Sequence, residues 1–146
     1  MLAEPDAPEG LIVEDIAEIR GFLVNLLRPH YRLRQTEDRR RALEMATERP
    51  PDLVLSDVMM PMLDGIRLGS TLRDGETTGH LTIVLLTART SIVHQIQGYG
   101  QGADAFVTKP FDAGVLLVRI QTLLKQRREL QQYYASGLSR ATFIVG

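Results

Sequence analysis

A chain of 146 residues with 44% hydrophobic and 24% charged residues suits one globular domain rather than a disordered or fibrous segment. Seventeen basic against eighteen acidic residues leave a formal net charge of −1, without the basic bias of a general nucleic-acid or anionic-membrane binder. The absence of cysteine excludes disulfide frameworks and thiolate metal sites, and no apolar run approaches the roughly 20 residues that span a bilayer.

The first nine residues are acidic and carry proline; with no basic flank or apolar stretch they read as a linker or disordered arm rather than a signal peptide. Leu11-Ile12-Val13 is a short strand, apolar on both faces as a central parallel strand should be. Ile16, Ile19, Leu23, Leu26 and Leu27 then recur at helical spacing until Pro29. Tyr31 to Gln35 alternates and suits an edge strand, and Ala42, Leu43 and Ala46 mark a helix over 40–48 that Pro50-Pro51 ends. A third strand over 52–56 leads through Met59-Met60-Pro61 and Asp64-Gly65 into a helix over 66–73. Leu81 to Leu86 is the fourth strand, Thr90 to Gly100 a helix, and Ala105 to Val107 the fifth strand. From Ala113 to Tyr134, Leu116, Leu117, Ile120, Leu123, Leu124 and Leu130 define a long last helix. Five strand–helix units predict an α/β doubly wound, five-stranded parallel sheet with five helices.

Ligands of such a sheet sit beyond the carboxyl ends of its strands. There the sequence places Glu14-Asp15, Asp57, Thr87-Ala88 and Thr108-Lys109-Pro110. Clustered carboxylates repel unless a cation lies among them, and an oxygen-only set suits a hard ion such as Mg²⁺. One carboxylate beside such an ion can act as a nucleophile toward phosphorus, while a hydroxyl and a lysine hold the other phosphoryl oxygens. Taken singly, Asp15 or Asp57 reads as a helix N-cap, Thr87 as a loop hydroxyl and Lys109 as a solvated lysine. Their joint occurrence on four separate loops at one rim favours a site. His30, His80 and His94 lie on separate elements without metal spacing.

The segment 52–65, DLVLSDVMMPMLDG, resembles the phosphorylation loop of response-regulator receiver domains of two-component signalling. LIVED at 11–15, LLTA at 85–88 and VTKPF at 107–111 resemble the family's other motifs, in order, and the likeness covers about residues 11 to 125. The resemblance implies the flavodoxin-like strand order 2-1-3-4-5 and a phosphoacceptor at Asp57. It implies an Mg²⁺ (or Mn²⁺) ion held by Asp15, by Glu14 through water, by Asp57 and by the Met59 backbone carbonyl. Thr87 and Lys109 would bind the phosphoryl group, Lys109-Pro110 would be cis, and Phe106 would be an aromatic switch that turns inward when Thr87 moves. Ile16 and Arg39 depart from the usual pattern. Met59 and Arg89 occupy the variable flanking positions and offer no base for water, implying slow autodephosphorylation.

HLTIVLLTARTS at 80–91, QGADAFVTKPF at 101–111 and LLKQRREL at 123–130 are similar to receivers inside hybrid sensor histidine kinases of the Bacteroidetes type. That narrower likeness implies a linker at 1–9, the receiver at 10–128, and at 129–146 a helical connector to an output domain, an AraC-type DNA-binding domain in such proteins. It implies a histidine kinase as phosphodonor, a cytoplasmic setting (alone or within a membrane-anchored kinase), and transcription as the controlled output. A dimer or interdomain contact is expected through the fourth helix, fifth strand and fifth helix. Direct nucleic-acid binding and membrane contact by this segment are not expected, the Lys125, Arg127 and Arg128 cluster reading as a solvated helix face. An independent enzyme is not expected either. A hydrolase of the haloacid-dehalogenase kind needs a second acid two residues after its nucleophile, where this chain has Met59. A binding module without phosphorylation would have no need of the complete acid, threonine and lysine set.

Overall fold

The computed structural model describes residues 2–57, 65–88 and 102–135. Five strands, β1 (Glu9–Val13), β2 (Arg32–Thr36), β3 (Leu53–Asp57), β4 (Thr82–Ala88) and β5 (Ala105–Lys109), form one sheet in the order β2-β1-β3-β4-β5. Every neighbouring pair is parallel. The described helices are α1 (Ala17–Leu27), α2 (Arg39–Glu48), α3 (Gly65–Asp74) and α4 (Ala113–Ala135). The helix expected at 90–100 and the loop of Met59 lie outside the described residues. The strand order is the flavodoxin-like one expected.

Strand alternation builds two apolar layers. Leu11, Val13, Val54, Ile83 and Leu85 face Ala42 and Ala46 of α2 and Leu68 and Leu72 of α3. Ile12, Leu55, Val84 and Leu86 face the other way, against Leu23 and Leu27 of α1 and Leu116 and Ile120 of α4. These side chains are almost wholly removed from water, each leucine, isoleucine or valine worth about 1.5–3 kcal/mol of burial. The parallel strands therefore need apolar residues on both faces, which is why their sequences read as continuous runs.

Several strand ends differ from expectation, and the reason is shared. β4 and β5 each continue to polar residues, because the parallel ladder still pairs Thr87 with Thr108 and Ala88 with Lys109. β1 starts two residues early, at Glu9, whose carboxylate is partnered by Arg34 and Arg49 at 3.0 Å each. Polarity marks a loop only when the polar group lacks a local partner. The segment 2–8 is tied to the fold: the Ala3 N–H donates to the Arg28 carbonyl, and the Arg32 N–H to that of Pro8.

Candidate functional site

The strands deliver their last residues to one rim. Glu14 directly follows β1 and is fully buried, Asp57 ends β3 and is 5% exposed, and Thr87 near the end of β4 is fully buried. Lys109 ends β5, and its peptide bond to Pro110 is cis, as expected. Its Nζ lies 3.4 Å from Glu14 Oε1 and 3.4 Å from Asp57 Oδ1. Residues 95 positions apart in sequence thus meet in one ion-paired cluster.

Neither acid suspected of helix capping serves as one. The N-cap of α1 is Ile16, with no side-chain cap bond, and α3 begins at Gly65, eight residues beyond Asp57. The Asp15 carboxylate is part-buried, and its Oδ1 has no hydrogen-bond partner. Glu14 Oε2 accepts a long bond from the Ile16 N–H at 3.4 Å.

One oxygen from each of Glu14, Asp15 and Asp57 falls within 4.8 Å of the others, a spacing at which one ion could touch all three. The donor set is oxygen only, the acids crowd one another, and a buried carboxylate oxygen is left without a partner. These features fit a hard divalent cation such as Mg²⁺. The crowding also shows in protonation: burial, then the negative charge of Asp57, pushes Glu14 from 4.5 up to about 7, against the opposing pull of Lys109.

Thr87 and Phe106 share a face of the sheet. Phe106 pairs in register with Leu85, and Thr87 lies two residues beyond Leu85 on the same side of β4. Phe106 is part-buried and packs against the core on the α2–α3 side. The Met59 carbonyl and Arg89 lie outside the described residues.

Arg20 is a contact that sequence reading missed: its Nη1 donates to the Glu14 carbonyl at 2.7 Å. The available signal was a cation at the fourth position of a helix, where the macrodipole favours acids. Beside Lys109, the rings of Phe22 and Phe111 stand 6.1 Å apart and line a groove with Glu18, Ile19 and Pro110.

The model of the response regulator receiver domain family matches residues 11–121. Histidine kinase P4 of Formosa agariphila is 34% identical over 137 residues, which cover 94% of this chain and 10% of that protein. Response regulator PleD of Caulobacter vibrioides is 39% identical over 131 residues, 87% of this chain and 29% of that protein. The chain therefore spans less than a third of these relatives. The crystal structure of the signal receiver domain of a signal transduction histidine kinase from Syntrophus aciditrophicus superposes with a TM-score of 0.76 at 31% identity, covering 82% of this chain and 92% of that one.

Proposed function

The chain belongs to the response regulator receiver domain family, and from that premise we propose that it takes a phosphoryl group from a histidine kinase onto Asp57 and switches conformation to relay the signal. The observation that carries this reading is Lys109 Nζ at 3.4 Å from both Asp57 and Glu14, in a cluster of three acids spaced for one cation.

In the reaction an Asp57 carboxylate oxygen attacks phosphorus, an O–P bond forms, the N–P bond to the donor imidazole breaks, and the imidazole leaves with its electron pair. Asp57 supplies the nucleophile, and Lys109 is placed to contact the phosphoryl oxygens and balance their charge. Thr87, on the neighbouring strand end, is suited to donate its hydroxyl to the product. Glu14, Asp15 and Asp57, with the Met59 carbonyl, would hold Mg²⁺, which when bound neutralises the acids and the incoming oxygens.

The product adds about −1.5 to −2 of charge at the rim. Movement of Thr87 toward that charge would vacate space on the face it shares with Phe106, letting the ring turn inward. The response is a population shift between two packings, which needs about 5.5 kcal/mol to run from 1:99 to 99:1. The readout face proposed falls within residues 91–128, which include β5 and α4 as far as Arg128.

A protein donor is favoured by the lip of the site. Phe22 is 48% exposed beside the Phe111 ring and Lys109, an apolar surface suited to the helix that presents a kinase's phosphohistidine. The receiver is assigned to 10–128 and the connector to 129–146. In support, α4 runs to Ala135, well past the end of the family match at 121. An output domain controlling transcription and a cytoplasmic setting complete the proposal; among the described residues no helix is long and apolar enough to cross a membrane.

The test is mass spectrometry after incubation with acetyl phosphate and Mg²⁺. A gain of one phosphoryl group, abolished in Asp57→Asn, is expected. An unmodified chain, or a gain that survives Asp57→Asn, rejects the assignment. With a phosphorylated kinase as donor, Phe22→Glu should slow transfer far more than it slows labelling by acetyl phosphate; equal effects reject the docking surface.

A further inference from the structure

Three of the four atoms that fix the Glu14 peptide unit and its carboxylate are explained by the fold or the site. The Glu14 N–H donates to the Thr36 carbonyl at 3.1 Å, continuing the β1–β2 ladder. Oε1 faces Lys109 and Oε2 faces the Ile16 N–H. The fourth is the Glu14 carbonyl, the first beyond β1, and it is taken by a side chain from the next helix: Arg20 Nη1 at 2.7 Å.

That contact is costly for α1 to supply. Arg20 stands in the first turn, where a cation opposes the helix macrodipole by about 0.3–1 kcal/mol. The helix also begins without a side-chain cap, at Ile16. A guanidinium is long and planar enough to reach back and donate to a carbonyl six residues earlier, and being part-buried it gains from doing so. What it gains for the molecule is orientation: the Glu14 carbonyl belongs to the peptide that joins Glu14 to Asp15, so fixing its plane fixes the backbone from which both side chains project.

We propose that Arg20 is a positioning residue for the metal-holding acids, locking the Glu14–Asp15 peptide so that both carboxylates converge with Asp57. This rests on the reading of the rim as a divalent-cation site. Groups that orient ligands from behind commonly change metal affinity by 10–100-fold when removed. Arg20 acts through a backbone bond to Glu14, so the low end of that range applies.

The experiment is calorimetric titration of the full chain with Mg²⁺ alone, alongside melting of the metal-free protein. Arg20→Ala should weaken Mg²⁺ binding about tenfold while moving the metal-free melting temperature by no more than a few degrees. Arg20→Lys, which keeps the charge and one donor, should recover part of the loss. Arg41→Ala removes the same charge from an exposed pair with Glu44 on α2 and should leave the affinity unchanged. Should Arg20→Ala fail to fold, Arg20→Gln carries the same expectation. Unaltered affinity in the Arg20 variants, or a loss that Arg41→Ala reproduces, overturns the proposal. A wild-type chain that binds no Mg²⁺ sinks the reading of the rim itself, a result distinct from either.

Discussion

The two ends of the sheet treat buried and part-buried acids in opposite ways. At the amino end, Glu9 meets Arg34 and Arg49 at 3.0 Å, and Asp104 meets Arg73 and Arg127 at 2.7 Å while also accepting the Ile83 N–H. Each of these two acids has two guanidinium groups. At the carboxyl end, among the described residues, Lys109 faces two acids at a looser 3.4 Å and Asp15 keeps a buried oxygen without a partner. Both ends are charged and inward-facing, so charge alone does not mark function. The distinction lies in compensation: an acid with its cations in place is part of the frame, and one without them is open to a proton or to a cation from solution.

The largest effect expected from this contrast is at the frame. Asp104→Ala leaves two guanidinium groups and the Ile83 N–H without their acceptor, across α3, β4 and α4. With its side chain 22% exposed, a loss of about 3 kcal/mol is expected, a fall in melting temperature on the order of 10 °C. Thermal denaturation with and without Mg²⁺ checks it: the fall should be the same in both, because the residue lies at the end of the sheet away from the proposed cation site. A loss visible only without Mg²⁺ would erase the distinction between the two ends.

How much of this contrast the sequence disclosed follows from range. The acids at the carboxyl rim were legible because each directly follows an apolar strand, and the α/β pattern alone puts strand ends together. The reach of β4 and β5 into Thr87 and Lys109 was not, since a polar residue ends an apolar run whether or not the backbone ladder continues. Nor was the frame at Asp104, whose partners lie 31 and 23 residues away on helices whose rotation no local pattern fixes. Glu9 failed for the same reason, its second arginine being 40 residues on. Arg20 was missed because a helical arginine ordinarily reads as solvent-facing.

The second prediction concerns protonation at the carboxyl rim. Glu14 carries a folded-state value of about 7 against 4.5 for the unfolded chain, so the metal-free fold binds this proton the more tightly. Its contribution to stability is complete below pH 4.5 and disappears as pH rises through 7. Metal-free protein should therefore lose on the order of 2–3 kcal/mol between those limits through this group. Glu14→Gln should flatten that slope in denaturant unfolding measured at several pH values. Mg²⁺ requires the ionised acid, so saturating ion should oppose the loss at pH 7 and have little effect near pH 5. A parallel slope in wild type and variant would mean that Glu14 is already compensated, as the amino-end acids are.

The smallest expected change is the most discriminating, because its sign is reversed. Asp15 adds a carboxylate to a crowded rim, and removing its charge relieves repulsion with Glu14 and Asp57. Asp15→Asn should leave the metal-free protein more stable by roughly 0.5–1 kcal/mol, the usual gain when a functional site is neutralised. If the rim holds Mg²⁺ as proposed, the same substitution removes a ligand, so the rise in melting temperature expected from Mg²⁺ in the wild type should largely vanish. A frame acid cannot behave this way: neutralising Asp104 strands two cations, whereas neutralising Asp15 strands none in the described structure. Melting curves of Asp15→Asn showing destabilisation without metal, and an Mg²⁺ response intact, would place this rim with the frame and leave the phosphoacceptor reading without its cation.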